Sequence, residues 1–298
     1  MIESSSYACD QSFFLASVCV LDRRASQSST TRTYDFISLV PDNHRSADFA
    51  QVRGARLPTE QVPTELWVLA GGLGSRLRTA VPDLPKPLAP VGHRPFLSYL
   101  IENWREQGIT SFNFLLQHQA HLIQAFLKSE EQSGLLSGCK VRTVIEPRRL
   151  DTGGAIAHAV RQHNSFGSFL VVNADTWLGS GIKALSQTAA PAIAIVRVGN
   201  SDRYGTVKVA DDRVVEFIEK QNSSGPGSIN AGLYHLNVEL FNDWDGQPFS
   251  LERDLFPRLL SEGSLRAVRV DSEFLDIGVP DDYFRFCNWV AADKNLVL

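Results

Sequence analysis

The chain has 298 residues, 43% of them hydrophobic, and a formal net charge of −4. That supports one large domain or two small ones around a sizeable core. A mildly acidic chain with no run of about 18 apolar residues reads as neither a wholesale binder of nucleic acid or anionic membrane nor a membrane-spanning protein.

The first 62 residues are rich in Ser, Thr, Arg and Asp and show no sustained period of 2 or 3.6. "RRASQSSTTRTYD" reads as loop. We expect residues 1–62 to be an extension and 63–298 to form the working domain. The alternative is a small accessory element that lays Phe13, Phe14, Phe36 and Ile37 on that domain. Phe13–Leu21 is a short apolar run. Glu3 and Asp10 precede it instead of basic residues, and no A-x-A site follows, so it does not read as a signal peptide. Cys9, Cys19, Cys139 and Cys287 form no CxxC pair and match neither a zinc nor a disulfide pattern, which fits reduced thiols in a cytoplasm.

From Leu66 the pattern changes. "LWVLA" (66–70) is an apolar run ending in glycines, as in a buried strand. "PFLSYLIENWREQG" (95–108) is an amphipathic helix with Pro at its start, Phe96, Tyr99, Leu100 and Trp104 on one face, and Gly108 as its stop. A strand (111–117), a helix (121–132), a strand (139–146), a helix (153–163) and a strand ending in a carboxylate (168–175) follow. This alternation predicts a mostly parallel sheet with helices on both faces, and such sheets bind ligands at the C-terminal ends of their strands. After Ala190 come the short strands "AIAIVRV", "GTVKVA", "RVVEFIEK" and "SINAGLYHL", as in an antiparallel section. "SLERDLFPRLLSEG" (250–263) predicts a helix capped by Ser250, "RAVRV" a strand, and Pro280 the start of a last helix.

Gly71, Gly72 and Gly74 follow the first strand directly. Bare backbone there lets N–H groups approach phosphate oxygens. A P-loop is excluded because no GxxxxGK[ST] string occurs. A dinucleotide fingerprint is excluded because its third glycine is Leu77. Arg76 offers a guanidinium fork beside the loop, and Lys86 sits between Pro85 and Pro87 as a point charge. Together they describe a site for a highly charged polyphosphate. Arg78 reads as a surface residue, "RRL" (148–150) as a small basic cluster that is solvated or, as the alternative, near the nucleotide, and the seven histidines show no ligand spacing.

"LAGGLGSRLRTAVPDLPKPLAPVGHRPFLSYL" resembles the opening signature of the sugar-1-phosphate nucleotidylyltransferases. "EPRRLDTGGAI", "VVNADTWL", "RYGTVKV", "FIEK", "INAGLYHL" and "FLDIGVPDDYFRF" follow in that family's order, from about residue 66 to 290. "TGGAI", "SLERDLFP" and "DIGVPDDYFRF" are most similar to the heptose 1-phosphate guanylyltransferases, with uridylyltransferases of amino-sugar 1-phosphates next. The resemblance implies a Rossmann-like three-layer α/β sheet, mostly parallel, with an antiparallel sugar-binding section. It implies attack of a sugar 1-phosphate on the α-phosphorus of a nucleoside triphosphate, with Arg76 and Lys86 neutralising charge. Leu69, Gly71, Gly72, Gly74 and Ser75 would hold the nucleotide, Glu146, Thr152 and Gly153 the base, and Asp175 with Asp276 a Mg²⁺ ion. Tyr204, Gly205, Glu219, Lys220, Asn230 and Gly232 would hold the sugar phosphate. A homodimer is expected by analogy.

Two departures from the family pattern stand out: Ala174 where glycine is usual, and Gln221 where proline often follows the Glu-Lys pair. Several positions also have plain structural uses. Glu146 could be a surface carboxylate, Asp276 a turn cap before Gly278, and Asn230 a strand-end amide. Glu146 mildly favours guanine, whose N1–H and 2-amino group both donate. A UTP- or dTTP-dependent hexose or amino-sugar transferase is the alternative. A non-catalytic subunit that binds an NDP-sugar is a further one, and the presence of Lys86, Asp175 and Asp276 argues against it.

Overall fold

The computed structural model describes residues 65–218 and 225–294. The expected extension (1–62), Glu219, Lys220 and Gln221 lie outside the described residues. The elements run in order: β1 (Glu65–Leu69), β2 (Pro90–Val91), β3 (Arg94–Pro95), α1 (Phe96–Glu106), β4 (Ser111–Leu116), α2 (Ala120–Ser133), β5 (Lys140–Ile145), α3 (Asp151–His163) and β6 (Ser168–Asn173). Then come β7 (Thr176–Leu178), α4 (Ile182–Ser186), β8 (Ala192–Val198), β9 (Thr206–Ala210), β10 (Arg213–Ile218), β11 (Gly227–Asn237), α5 (Phe256–Ser261), β12 (Arg266–Val270), β13 (Phe274–Asp276) and α6 (Pro280–Lys294).

Nine strands form one mixed sheet in the order β5-β4-β1-β6-β11-β8-β12-β10-β9. The strands from β5 to β6 are parallel, and β11 runs antiparallel to both β6 and β8. The expected antiparallel section therefore continues the same sheet. β1 and β6 read as unbroken apolar runs because both of their faces are covered. Leu66 and Val68 join one core with Phe112, Phe114 and residues of α1, α2 and α6. Trp67 and Val171 join the other with α3 and α5. Trp67 stacks on Phe169 with ring centroids 4.3 Å apart.

The chain leaves β1 for β4 and β5 on one side, then returns to β6 on the other. That reversal opens a crevice beyond the C-terminal ends of β1 and β6, where open α/β sheets bind ligands. Two features lie beyond the sequence reading. The predicted helix 250–263 is split: a π-type turn (Leu251–Leu255) capped by the Ser250 hydroxyl precedes α5. β7 and β13 form a separate two-stranded ribbon in which Thr176 pairs with Asp276.

The ribbon is anchored by Asn103 of α1, only 6% exposed, whose Nδ2 donates to the Leu178 carbonyl at 2.8 Å. Removing that donor leaves a buried carbonyl unpaired, which costs about 1–3 kcal/mol. Asn103→Ala should lower the melting temperature accordingly and reduce turnover, because the ribbon carries two carboxylates of the site. Unchanged stability by thermal melts would show the anchor to be dispensable.

Candidate active site

A cavity of about 360 Å³ opens at the crevice. Its walls come from the C-terminal ends of three parallel strands: Leu69–Gly72 at the end of β1, Glu146 after β5 and Asn173–Asp175 at the end of β6. Lys86, Pro87, Thr152 and Ala155 complete it, together with Arg149, Asp151, Ser250 and Arg253.

One end is built from Lys86 and two aspartates. Lys86 Nζ donates to Asp175 Oδ2 at 2.8 Å, with the two side chains 13% and 33% exposed. Gly74 makes room for this lysine. It has φ of 64°, and a Cβ there would lie 2.8 Å from Lys86 Cγ, so only glycine suits the position. The β7–β13 ribbon sets Asp276 beside Asp175, and the Ile277 N–H donates to the Asp175 carbonyl at 3.0 Å. Burial raises the Asp276 pKa, and the Asp175 charge raises it further. The Gly278 N–H, Lys86 and Arg76 pull it back down. Arg76 is itself exposed and does not line the cavity, but its charge reaches Asp276. Asp276 Oδ1 also accepts from Gly278 N at 2.7 Å, the turn cap its sequence position suggested.

The other end is built around Glu146. Burial pushes its carboxyl up to about 7, against a hydrogen bond to Oε2 from the Leu150 N–H at 2.8 Å. Thr152 lines the cavity, and its hydroxyl is bonded on both sides: it donates to Glu252 Oε2 at 3.0 Å and accepts from Leu251 N at 2.9 Å. Gly153 is absent from the cavity lining, and its N–H donates to the Phe249 carbonyl. A Cβ on it would lie 2.2 Å from the Phe249 ring. Glycine at this position is required by its packing against Phe249. Ala174 is 1% exposed, donates its N–H to Leu69 and presents its methyl to the cavity wall.

The sugar-side candidates are spread more widely. Asn230 Oδ1 accepts from Gly232 N at 3.0 Å, closing a bulge in β11, and its Nδ2 donates to Tyr234. Fully buried Tyr234 donates on to Glu252 at 3.3 Å, so Asn230 and Thr152 meet through one hydrogen-bond chain. Tyr204 faces a second cavity of about 540 Å³ with Arg197, Arg203 and Arg285, and its ring meets Phe274 edge-on. Gly205 is exposed and packs near the Ile218 carbonyl. Arg78 turns to His118 at 3.4 Å. Ser75 is exposed on the turn after the glycines.

Asp151, Ser250 and Arg253 were not among the sequence candidates. Of the two readings of the "RRL" cluster, Arg149 follows the second in part: it lines the cavity and pairs with Asp151, while its side chain stays exposed.

The match to known proteins agrees with this geometry. Residues 67–292 match the family described as Nucleotidyl transferase. The chain belongs to that family. It is 33% identical over 224 residues to the D-glycero-alpha-D-manno-heptose 1-phosphate guanylyltransferase of Campylobacter jejuni, covering 74% of this chain and 96% of that protein. The enzyme of the same name from Aneurinibacillus thermoaerophilus is 32% identical over 225 residues, covering 74% and 95%. HddC from Yersinia pseudotuberculosis, solved in complex with GMP-PN, superposes with a TM-score of 0.67 at 32% identity, over 76% of this chain and 99% of that one. The α/β fold and sugar-1-phosphate nucleotidyltransferase class read from the sequence stand. Among the described residues no helix is long and apolar enough to cross a membrane.

The raised Glu146 pKa has a stability consequence with a definite sign. Between about 4.5 and 7 the folded chain keeps a proton that the unfolded chain has lost. Stability therefore falls as pH rises through that window. Glu146→Gln removes this penalty. The variant should melt like the wild type below pH 4.5 and progressively higher than it up to about pH 7. A gap that is constant across pH in thermal melts would contradict the assignment.

Proposed function

We propose that the chain condenses GTP with a heptose or mannose-type 1-phosphate to give a GDP-sugar and pyrophosphate. The observation that carries this is the two-ended cavity: a lysine–aspartate end suited to phosphates, and a half-buried glutamate end suited to a base with two adjacent donors. Guanine presents N1–H and the 2-amino group on one edge, whereas uracil offers a single imide N–H. The similarity to enzymes named heptose 1-phosphate guanylyltransferases supports the same choice. Because the substrates belong to the cytoplasmic pool, we place the reaction in that compartment.

In this reading a sugar-phosphate oxygen bonds to the α-phosphorus as the bond to the β-phosphate oxygen breaks. No covalent protein nucleophile is needed, so the residues contribute position and charge. The Gly71–Gly74 loop holds the phosphates. Lys86, released from Asp175 by competing phosphate oxygens, offsets charge at the α-phosphoryl. Arg76 faces the leaving pyrophosphate.

Asp175 and Asp276 fit a Mg²⁺ site. Asp175 on the turn after β6 and Asp276 at the end of β13 lie together, Asp276 forms no ion pair among the described residues, and oxygen ligands of this number suit an ion completed by phosphates and water. Mg²⁺ held there would supply charge neutralisation for the triphosphate.

The test is pyrophosphate release with Mg²⁺, crossing GTP, UTP, dTTP, CTP and ATP against heptose, mannose, glucose and N-acetyl-amino-sugar 1-phosphates. Release with GTP and heptose 1-phosphate is expected. A preference for UTP would replace this reading with the uridylyltransferase one. Silence from folded protein that still binds an NDP-sugar would favour a non-catalytic subunit. Lys86→Ala should lower turnover by about 10²–10³-fold or more, as for loss of one preorganised transition-state contact. Near-normal turnover would remove Lys86 from the reaction.

A further inference from the structure

Asp151 opens α3 with φ of 58°, a left-handed conformation that favours glycine. The helix start does not require this. The N–H groups of Gly153 and Gly154 already bond the Phe249 carbonyl. What Asp151 does hold is a pair of arginines. Its Oδ1 accepts from Arg149 Nε at 3.0 Å and its Oδ2 from Arg253 Nη2 at 2.9 Å. Both arginines line the cavity, yet their side chains are 66% and 71% exposed. Long exposed side chains do not keep one geometry unaided, because fixing them costs rotamer entropy. Asp151 supplies the fixing from between them.

The position of this cluster matters. Glu146 and Arg149 sit on one short loop, and the charges of Arg149 and Asp151 are both felt at the Glu146 carboxyl. Arg149 spends only its Nε–H on Asp151, which leaves its two terminal NH₂ groups for another partner. An acceptor beside a fixed two-pronged donor is complementary to two neighbouring edges of guanine. N1–H and the 2-amino group donate, while O6 and N7 accept, and a guanidinium fork matches O6 and N7 together. A pyrimidine has no N7 to offer the second prong.

We propose that Asp151 is a positioning residue for base selection: it holds Arg149 so that the terminal NH₂ groups read O6 and N7 of guanine while Glu146 takes N1–H and the 2-amino group. Arg253, on the second carboxylate oxygen, ties the 250–255 segment to the same loop and keeps Asp151 aimed. The proposal deepens the guanine reading above and rests on it.

The test compares kcat and KM of the full chain for GTP, 7-deaza-GTP, ITP and UTP, at saturating heptose 1-phosphate. Wild type, Asp151→Gly, Asp151→Asn and Arg149→Ala are measured in parallel. 7-Deaza-GTP lacks only the N7 acceptor, and losing one hydrogen bond to a charged donor predicts about a tenfold or larger fall in kcat/KM for the wild type. In Asp151→Gly and Arg149→Ala, KM for GTP should rise and the GTP to 7-deaza-GTP ratio should fall to near one, with the change carried by KM more than by kcat. Glycine suits the backbone at residue 151, so the fold should persist; should that variant fail to fold, Arg149→Ala decides. Asp151→Asn keeps one acceptor and should fall between. ITP lacks the 2-amino group and reports on Glu146, so its penalty should survive in every Asp151 variant. A wild type that prefers GTP but uses 7-deaza-GTP equally well would overturn this proposal alone, as would an unchanged ratio in the variants. A chain that prefers UTP would overturn both this proposal and the guanine reading.

Discussion

Two carboxylates held side by side next to one lysine set the terms for the rest of the structure. Asp175, on the turn before β7, and Asp276, at the end of β13, are far apart in the chain and are brought together by a ribbon of three residues on each side. Burial raises the cost of ionising Asp276, and the charge of Asp175 beside it adds to that cost. Lys86 answers Asp175 directly at 2.8 Å and eases Asp276 from farther off. Much of the surrounding structure serves this arrangement. Asn103 pins the ribbon to α1, Gly74 gives the lysine stem room to pass, and the reversal of strand order after β5 places all of them at one crevice.

The opposite wall constrains how a nucleotide can enter. A helix N-terminus ordinarily invites an anion, because its first N–H groups are unpaired. At α3 part of that invitation is withdrawn. The Phe249 carbonyl takes the N–H groups of Gly153 and Gly154, and the Thr152 hydroxyl is fully engaged. Under the proposed function, the phosphates take the glycine loop and Lys86, while the α3 end offers the base Glu146 and the Asp151-held arginines. The two ends of the cavity differ in charge, and in that reading the difference orients the nucleoside triphosphate.

The long elements were legible because hydrophobic period and glycine stops suffice for them. The predicted helix from 95 to 108 is α1, and the run "SFLVVN" is β6. β7 and β13 escaped because three residues carry no period, although together they make the carboxylate pair. The π-type turn after Ser250 escaped because its residues also read as an ordinary first helical turn. The Phe249 ring that Gly153 packs against is distant in sequence, so that use of the glycine was not legible. The left-handed φ of Asp151 is likewise not displayed by a sequence. The carboxylate shared by Arg149 and Arg253 could not be read from positions so far apart in the chain.

The single sheet divides its labour between two kinds of strand. The parallel half ends in fixed positions, because its strands are paired in one ladder and covered by α1, α2 and α3, and the ends of β1, β5 and β6 line the cavity. The antiparallel half is less regular. β11 changes register between Asn230 and Tyr234, Gly232 there takes φ of 71° against the Asn173 side chain, and β10 carries a second irregularity against β9. Bulges bend a strand and re-aim its side chains without disturbing its neighbours' pairing. Under the proposed function, a sheet built this way leaves the pocket for the sugar free to vary on its antiparallel side while Lys86, Asp175 and Asp276 hold their places at the crevice.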